Sequence, residues 1–194
     1  QGYPDHKVAI LGCGYVGLTL AAVMADVGFD VLGVEIRDDV LKRLNRGEPH
    51  FHEPGLQPLL ERLIRQRRIR FVKHLPRACD ARVFIITVGT PLDNQGRARL
   101  DMVESVAREV ATRLKPGDLV VMRSTVKLGT TQRIIKPLLD APGVSYDIAF
   151  CPERTLEGQA LAELHCLPQI VGGDTLPATV RASQLFQFLT PTTV

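Results

Sequence analysis

Short, mostly apolar runs recur along the chain and are separated by longer segments of mixed polarity. Runs of this kind predict strands that are buried on both faces of a sheet. The predicted strands are KVAILG (7–12), DVLGVE (30–35), IRFV (69–72), RVFIITV (82–88), DLVVMRS (118–124), DIAF (147–150) and QIVGG (169–173).

The segments between these runs carry apolar residues every three or four positions, which predicts helices. They cover residues 17–28, 38–47, about 56–67, 101–117, 130–141 and about 177–189. Gly28 and Gly47 are expected to end the first two helices, and Asp101 to cap the fourth. Alternating strands and helices imply an α/β fold with a doubly wound parallel sheet of the Rossmann type.

Length and composition are those of one globular domain, with 194 residues, 45% of them hydrophobic and 23% charged. We expect a tail over residues 1–6, with Gln1 and Gly2 interpreted as remnants of an expression tag, and a single domain over residues 7–194. A net charge of +3 argues against a nucleic-acid partner. Without an apolar run of membrane-spanning length or a leader peptide, no membrane association and a cytoplasmic location are expected.

The reactive side chains suggest neither a disulfide framework nor a metal site. The four cysteines are far apart and include no C-x-x-C pair: Cys13, Cys79, Cys151 and Cys166. His50 and His52 fit a loop better than a metal site, because no third ligand is near. The basic run at 65–70 fits a solvated helix end better than a phosphate-binding patch.

The stretch ILGCGYVGL (10–18) carries the G-x-G-x-x-G spacing of dinucleotide sites. This spacing is a weak signal alone, but here it joins a predicted strand to a predicted helix. Gly12 permits the tight turn, Gly14 the close approach of a pyrophosphate, and Gly17 the packing of helix on strand. The amino end of the helix then offers N–H groups and a partial positive charge to phosphates. A purely structural glycine turn is the alternative.

An acid at the end of the second strand supports the same interpretation. Glu35 can accept hydrogen bonds from both adenosine ribose hydroxyls, and its charge would repel a 2′-phosphate. The sequence therefore predicts NAD as the cofactor in preference to NADP, although Arg37 nearby is a feature that would suit NADP.

Four further loops are expected at the carboxyl edge of the sheet, where ligands bind in doubly wound folds. They are EPGL (53–56), VGTPLD (88–93), RSTVKLGTT (123–131) and CPERTLEG (151–158). Ordinary turn chemistry explains any one of these loops more easily than all four together.

With these motifs in order from Lys7 to the end, the chain resembles the NAD-binding half of the UDP-glucose/GDP-mannose dehydrogenase family. The stretch CPERTLEGQALAEL followed by PQIVGG is most similar to the branch that oxidises UDP-N-acetylhexosamines. That branch implies conversion of UDP-N-acetyl-D-mannosamine to the uronate, with UDP-glucose or UDP-N-acetylglucosamine as alternative substrates. Cys151 stands where the glucose branch has asparagine.

The resemblance implies a two-step oxidation of a sugar C6 alcohol that uses two NAD and a cysteine thioester. In the family, the nucleophilic cysteine, a lysine and an asparagine lie beyond the residues of this chain. The resemblance therefore implies that the central helix and the C-terminal domain are absent here, and that this chain alone turns over no sugar. We expect a homodimer or larger assembly for the full-length protein.

The resemblance also implies roles for individual residues. The implied cofactor contacts are Gly12, Gly14, Tyr15, Val16, Gly17, Glu35, Thr90 and Thr125. Glu153 matches a general base for thioester hydrolysis, and Thr125 lies near the hydrolytic water. The implied substrate contacts are Glu153, Arg154, Thr155 and Glu157. Without the resemblance, both threonines fit helix caps, and Glu153 and Arg154 fit exposed loop charges.

Two other functions remain open. A single-oxidation dehydrogenase of the hydroxyacid or 6-phosphogluconate kind begins with a similar cofactor domain. A non-catalytic module that senses NAD or a nucleotide is the alternative from another class.

Overall fold

A seven-stranded sheet in the order β3-β2-β1-β4-β5-β6-β7 forms the centre of the structure. The structure, a computed structural model, describes residues 3–194, so the tag interpretation of Gln1 and Gly2 lies outside the described residues. The strands are β1 (Lys7–Leu11), β2 (Asp30–Val34), β3 (Ile69–Val72), β4 (Val83–Ile86), β5 (Asp118–Met122), β6 (Tyr146–Phe150) and β7 (Gly172–Gly173).

Helices cover both faces of this sheet because successive strand residues point to opposite faces and are apolar on each. In β1, Val8 and Ile10 belong to one apolar cluster, while Ala9 and Leu11 belong to the other. The helices are α1 (Tyr15–Asp26), α2 (Asp38–Leu44), α3 (Leu56–Arg65), α4 (Asp101–Ala111), α5 (Lys136–Asp140), α6 (Ala160–Cys166) and α7 (Leu176–Phe186).

The predicted doubly wound parallel sheet is confirmed for its first six strands, all of which pair in parallel. The strand order reverses between β1 and β4, which creates the crevice where such sheets bind ligands. The last strand differs, because only Gly172 and Gly173 of the predicted 169–173 pair with β6, and they do so antiparallel. The chain remains at the carboxyl end of β6, so β7 enters the sheet from the same edge.

Two helical segments also differ from the sequence prediction. The segment 130–141 is a π-helical turn, Thr131–Ile135, followed by the short α5. Pro137 has no N–H to donate to the preceding turn, and the widened turn lies directly before it. A further helix, α6, lies between β6 and β7, where the sequence analysis assigned none.

Residues 3–6 of the predicted tail pack against the domain. Asp5 is buried and forms an ion pair with Arg181 of α7, with Oδ1 and Nη2 2.6 Å apart. Tyr3 packs its ring against Phe29 and Phe188, with centroids 6.1 and 4.8 Å away. The amino end of the described chain is therefore tied to helix α7.

The turn between β1 and α1 depends on glycine at two positions. Gly12 has φ of +100°, and a side chain there would also meet Val88, with its backbone nitrogen 2.9 Å from the added Cβ. A Cβ on Gly17 would lie 1.8 Å from the carbonyl oxygen of Gly12. The start of α1 therefore packs directly on the end of β1.

We expect Gly17→Ala to lower the free energy of unfolding by about 1–3 kcal/mol, because the methyl group has no space. Gly14→Ala is the matched control, since no atom lies within 4 Å of a Cβ built there. Its stability should stay within about 1 kcal/mol of the parent. Urea unfolding of the three chains measures both values, and equal stabilities for the two variants would contradict this packing.

Candidate functional site

The first turn of α1 faces the switch point of the sheet and has no side-chain cap at its N-cap, Gly14. The N–H groups at such an end have no partners within the helix, and they carry partial positive charge. Gly14 is exposed, and the space beside its Cα is open, so an anionic group can approach the backbone closely. The loop therefore fits a dinucleotide pyrophosphate, with the backbone of Tyr15, Val16 and Gly17 beside it.

Glu35 lies directly beyond β2 and is held beside the glycine loop. One carboxylate oxygen accepts the backbone N–H of Cys13 at 3.2 Å, and the other accepts that of Arg37 at 2.9 Å. Each oxygen has a second lone pair for a ligand hydroxyl. The side chain of Arg37 points into an ion pair with Asp39 at 2.8 Å. This arrangement places an acid, with its nearby arginine already paired, where a ribose binds in such folds.

The loops after β4 and β5 are in direct contact. The Thr90 hydroxyl donates a hydrogen bond to the carbonyl of Thr125 at 2.7 Å. The adjacent Ser124 hydroxyl donates to the carbonyl of Val88, also at 2.7 Å. Thr90 and Thr125, predicted as cofactor contacts, therefore lie together beside the switch point, and Thr125 is exposed.

Arg123 is a residue of the candidate site that the sequence analysis did not single out. Its side chain is completely buried, and its guanidinium lies 5.0 Å from the centroid of the Phe186 ring. It donates hydrogen bonds to Glu153, to the carbonyl of Cys151 at 3.1 Å and to Gln169 at 2.9 Å. The available signal was an arginine directly after a fully buried strand, because buried charges require partners.

The Glu153 carboxylate accepts four hydrogen bonds. Arg123 donates twice to Oε2, with Nε at 3.0 Å, while the backbone N–H groups of Arg154 and Thr155 donate to Oε1 at 2.7 and 2.9 Å. A carboxylate has about four lone-pair positions, so these donors use its whole capacity. Glu153 can therefore accept a proton from water only after one donor moves away.

The other predicted substrate contacts belong to the same loop but differ in environment. Arg154 is exposed and donates to the carbonyl of Pro168 at 2.6 Å. The Thr155 hydroxyl oxygen is buried and has no hydrogen-bond partner among residues 3–194. Glu157 is exposed. The structure thus brings Glu153, Arg154 and Thr155 together at the end of β6, with Glu157 further out.

A further acid, the buried Glu53, connects this loop to the glycine loop. Its carboxylate accepts the Tyr15 hydroxyl at 2.9 Å and the N–H groups of Gly158 and Leu161 at 2.9 and 3.1 Å. Burial, together with the hydrogen bond to Glu53, raises the pKa of Tyr15 to about 12, so its hydroxyl remains a donor at neutral pH. The sequence analysis placed the EPGL loop near the site but assigned no role to this glutamate.

Two of the buried cysteines, Cys13 and Cys151, lack the exposure and the low thiol pKa that a nucleophilic cysteine needs. Cys151 is buried, and desolvation raises the pKa of its thiol to about 12 despite the nearby charge of Arg123. Burial also raises the pKa of Cys13.

Among the described residues, no group of three potential ligands could hold a metal ion. Within residues 3–194, no helix has the length and apolarity needed to cross a membrane.

We expect the thiol of Cys166 alone to react quickly in the native chain, because it is exposed and the other three are buried. Labelling with a chromogenic disulfide reagent should give one fast thiol, and all four after unfolding. Cys166→Ser should abolish the fast phase. Rapid labelling of Cys151 in the folded chain would contradict the burial described here.

The chain is similar to nucleotide-sugar dehydrogenases along nearly its whole length. The model of the UDP-glucose/GDP-mannose dehydrogenase family, NAD binding domain, matches residues 6–190. UDP-N-acetyl-D-mannosamine dehydrogenase of Yersinia pestis is 34% identical over 193 residues, which cover 94% of this chain and 45% of that protein. NDP-N-acetyl-D-galactosaminuronic acid dehydrogenase of Ralstonia nicotianae is 35% identical, with coverage of 94% and 45%.

Solved structures give the same result. A UDP-glucose dehydrogenase from Pyrobaculum islandicum superposes with a TM-score of 0.91 at 29% sequence identity, covering 100% of this chain and 47% of that one. The chain thus spans about half the length of these relatives. The match over residues 6–190 and the dinucleotide geometry at the switch point lead to one conclusion. The chain belongs to the UDP-glucose/GDP-mannose dehydrogenase family, and it is the family's NAD-binding domain.

Proposed function

We propose that this chain is the cofactor-binding half of an NAD-dependent nucleotide-sugar 6-dehydrogenase. The observation that carries the proposal is the convergence of two features at one edge of the sheet. The glycine loop and Glu35 fit NAD on one side of the switch point, and the Glu153–Thr155 loop faces the same edge from β6. NAD, when bound, supplies the hydride acceptor, and the residues of this chain orient it beside the sugar.

The proposed substrate is UDP-N-acetyl-D-mannosamine, which is oxidised at C6 to the uronate. Two similar relatives are named for sugars with an N-acetyl group, and this supports an N-acetylhexosamine. Arg154, exposed at the end of β6, carries a guanidinium suited to a diphosphate or an amide carbonyl. Glu157 and the buried Thr155 hydroxyl are the other proposed substrate contacts.

The substrate assignment is tested with the full-length protein and a panel of UDP-sugars, following NADH formation by absorbance. The highest kcat/KM should be found with UDP-N-acetyl-D-mannosamine. A higher value with UDP-glucose would reassign the sugar, and no NADH from any sugar would favour a ligand-sensing module.

We also propose that the full-length protein acts in the cytoplasm as a homodimer or larger assembly. All four cysteines are free, which agrees with a reducing compartment. Gel filtration with light scattering measures the assembly directly.

We expect tighter binding of NAD than of NADP, because Glu35 would repel a 2′-phosphate. Glu35→Ala should weaken NAD binding by about 1–3 kcal/mol, the usual cost of an unsatisfied hydrogen-bonding partner. The same substitution should also reduce the difference in binding affinity between NAD and NADP. Glu35→Gln is the matched control, since it keeps an acceptor oxygen but removes the charge. Calorimetric titration measures all of these affinities, and equal or tighter binding of NADP by the parent chain would refute the assignment.

Glu153 is proposed as the general base for thioester hydrolysis, with Thr125 near the hydrolytic water. In the full-length protein, Glu153→Gln should spare the first oxidation and slow hydrolysis by about 10²–10⁴-fold. The expected record is a burst of NADH followed by a slow phase, with sugar held covalently and visible by intact-protein mass spectrometry.

The structure adds a control to this experiment. Removing the Glu153 charge leaves buried Arg123 uncompensated, which typically costs about 3–5 kcal/mol of stability. Thermal unfolding must therefore show that the variant is folded at the assay temperature. A folded Glu153→Gln enzyme that hydrolyses its thioester at the parent rate would place the base elsewhere, with Glu157 as the next residue to test.

A further inference from the structure

Glu53 makes no contact that the proposed reaction requires, yet it is 5% exposed and accepts three hydrogen bonds from other segments. It precedes α3 in the chain, whereas its donors are the first residue of α1, Gly158 just before α6, and Leu161 in the first turn of α6. A buried carboxylate is costly unless donors satisfy it. Glu53 therefore constrains three segments that are far apart in sequence.

Tyr15 connects this carboxylate to the glycine loop. Its backbone belongs to the first turn of α1, beside the proposed pyrophosphate site, while its hydroxyl donates to Glu53. The hydroxyl lies 2.7 Å from the carbonyl of Leu156 and accepts the N–H of Gly158 at 2.9 Å. A shift of Tyr15 on cofactor binding would therefore move both groups that contact its hydroxyl, the carbonyl of Leu156 and the N–H of Gly158.

Glu53 also stabilises the start of α6. Its Oε1 accepts the N–H of Leu161, in the first turn of that helix, where a negative charge is favourable. Phe51 of the same loop packs on the Tyr15 ring, with centroids 5.0 Å apart. The loop before α3 thus touches the cofactor side through Tyr15 and the substrate side through Gly158 and Leu161.

We propose that Glu53 is a positioning residue that couples occupancy of the dinucleotide site to the order of the 153–161 segment. The proposal rests on the proposed function, in which that segment contacts the sugar. NAD binding fixes the first turn of α1, Tyr15 fixes Glu53, and Glu53 holds Gly158 and Leu161. By linkage, a ligand that orders the 153–161 segment strengthens NAD binding by the same factor.

Amide hydrogen exchange on the 194-residue chain, with and without saturating NAD, tests the coupling. NAD should slow exchange both in a peptide that covers residues 12–17 and in one that covers residues 153–161, the latter by about 5-fold or more. In Glu53→Gln, an amide N–H₂ faces backbone donors, and NAD should protect the first peptide but not the second. A purely structural role would change exchange of the second peptide equally with and without NAD.

Two further variants sharpen this test. Tyr15→Phe removes the hydroxyl but keeps the ring and the backbone, and NAD should no longer slow exchange of residues 153–161 in this variant. If Glu53→Gln does not fold, Tyr15→Phe provides the test in its place. Glu61→Gln makes the same chemical change in α3, where Glu61 accepts a hydrogen bond from exposed Gln57. This control should keep both responses of the parent chain.

The outcomes separate the two proposals. If the parent chain binds no NAD by calorimetry, both the proposed function and the coupling are overturned. If NAD protects residues 12–17 but not 153–161, the coupling alone is overturned. Retention of the response at 153–161 in either Glu53→Gln or Tyr15→Phe likewise rejects Glu53 as the link and leaves the proposed function intact.

Discussion

Six neighbouring strands run in one direction and bury apolar side chains on both faces. Each connection between them must cross the sheet, and every connection except the one from β3 to β4 contains a helix that buries those side chains. All six strands consequently end at the same edge, and the segments that follow them meet there. This geometry places Gly14, Glu35, Thr125 and Glu153 along one edge of the sheet, although they lie up to 139 residues apart in the sequence. The site depends on the direction of the strands more than on any single contact.

At the edge formed by β5 and β6, the packing encloses a charged pair. Arg123 has no exposed side-chain surface and Glu153 has 7%, so each depends on the other for compensation. Gln169 and the carbonyl of Cys151 accept further hydrogen bonds from the guanidinium of Arg123. Such a network specifies the position of a carboxylate sharply, because every donor has a fixed place. Because all four acceptor positions of the Glu153 carboxylate are occupied, it must lose one hydrogen-bond donor before it can accept a proton as a general base.

Glu153 and Glu53 have different tasks. Glu153 is fixed by a buried cation and belongs to the loop that faces the proposed sugar. Glu53 accepts neutral donors from separate segments and lies behind both loops. We propose that the first carboxylate contacts the substrate and that the second sets the relative position of the loops proposed to bind substrate and cofactor. Activity at such sites depends on positioning of this kind as much as on the reacting groups.

The sequence alone determined the fold class, because apolar runs and helical periodicity report burial directly. It also predicted the residues of the dinucleotide site, since Gly12, Gly14 and Gly17 meet the conformational requirements of one turn, and Glu35 follows the next strand. The tertiary structure decided the direction of β7, the π-helical turn before Pro137 and the pairing of Arg123 with Glu153. It also decided the hydrogen-bond donors of Glu53, which lie 38 to 108 residues away in the sequence. No local pattern encodes a partner at such a distance, because packing of the whole domain creates the contact.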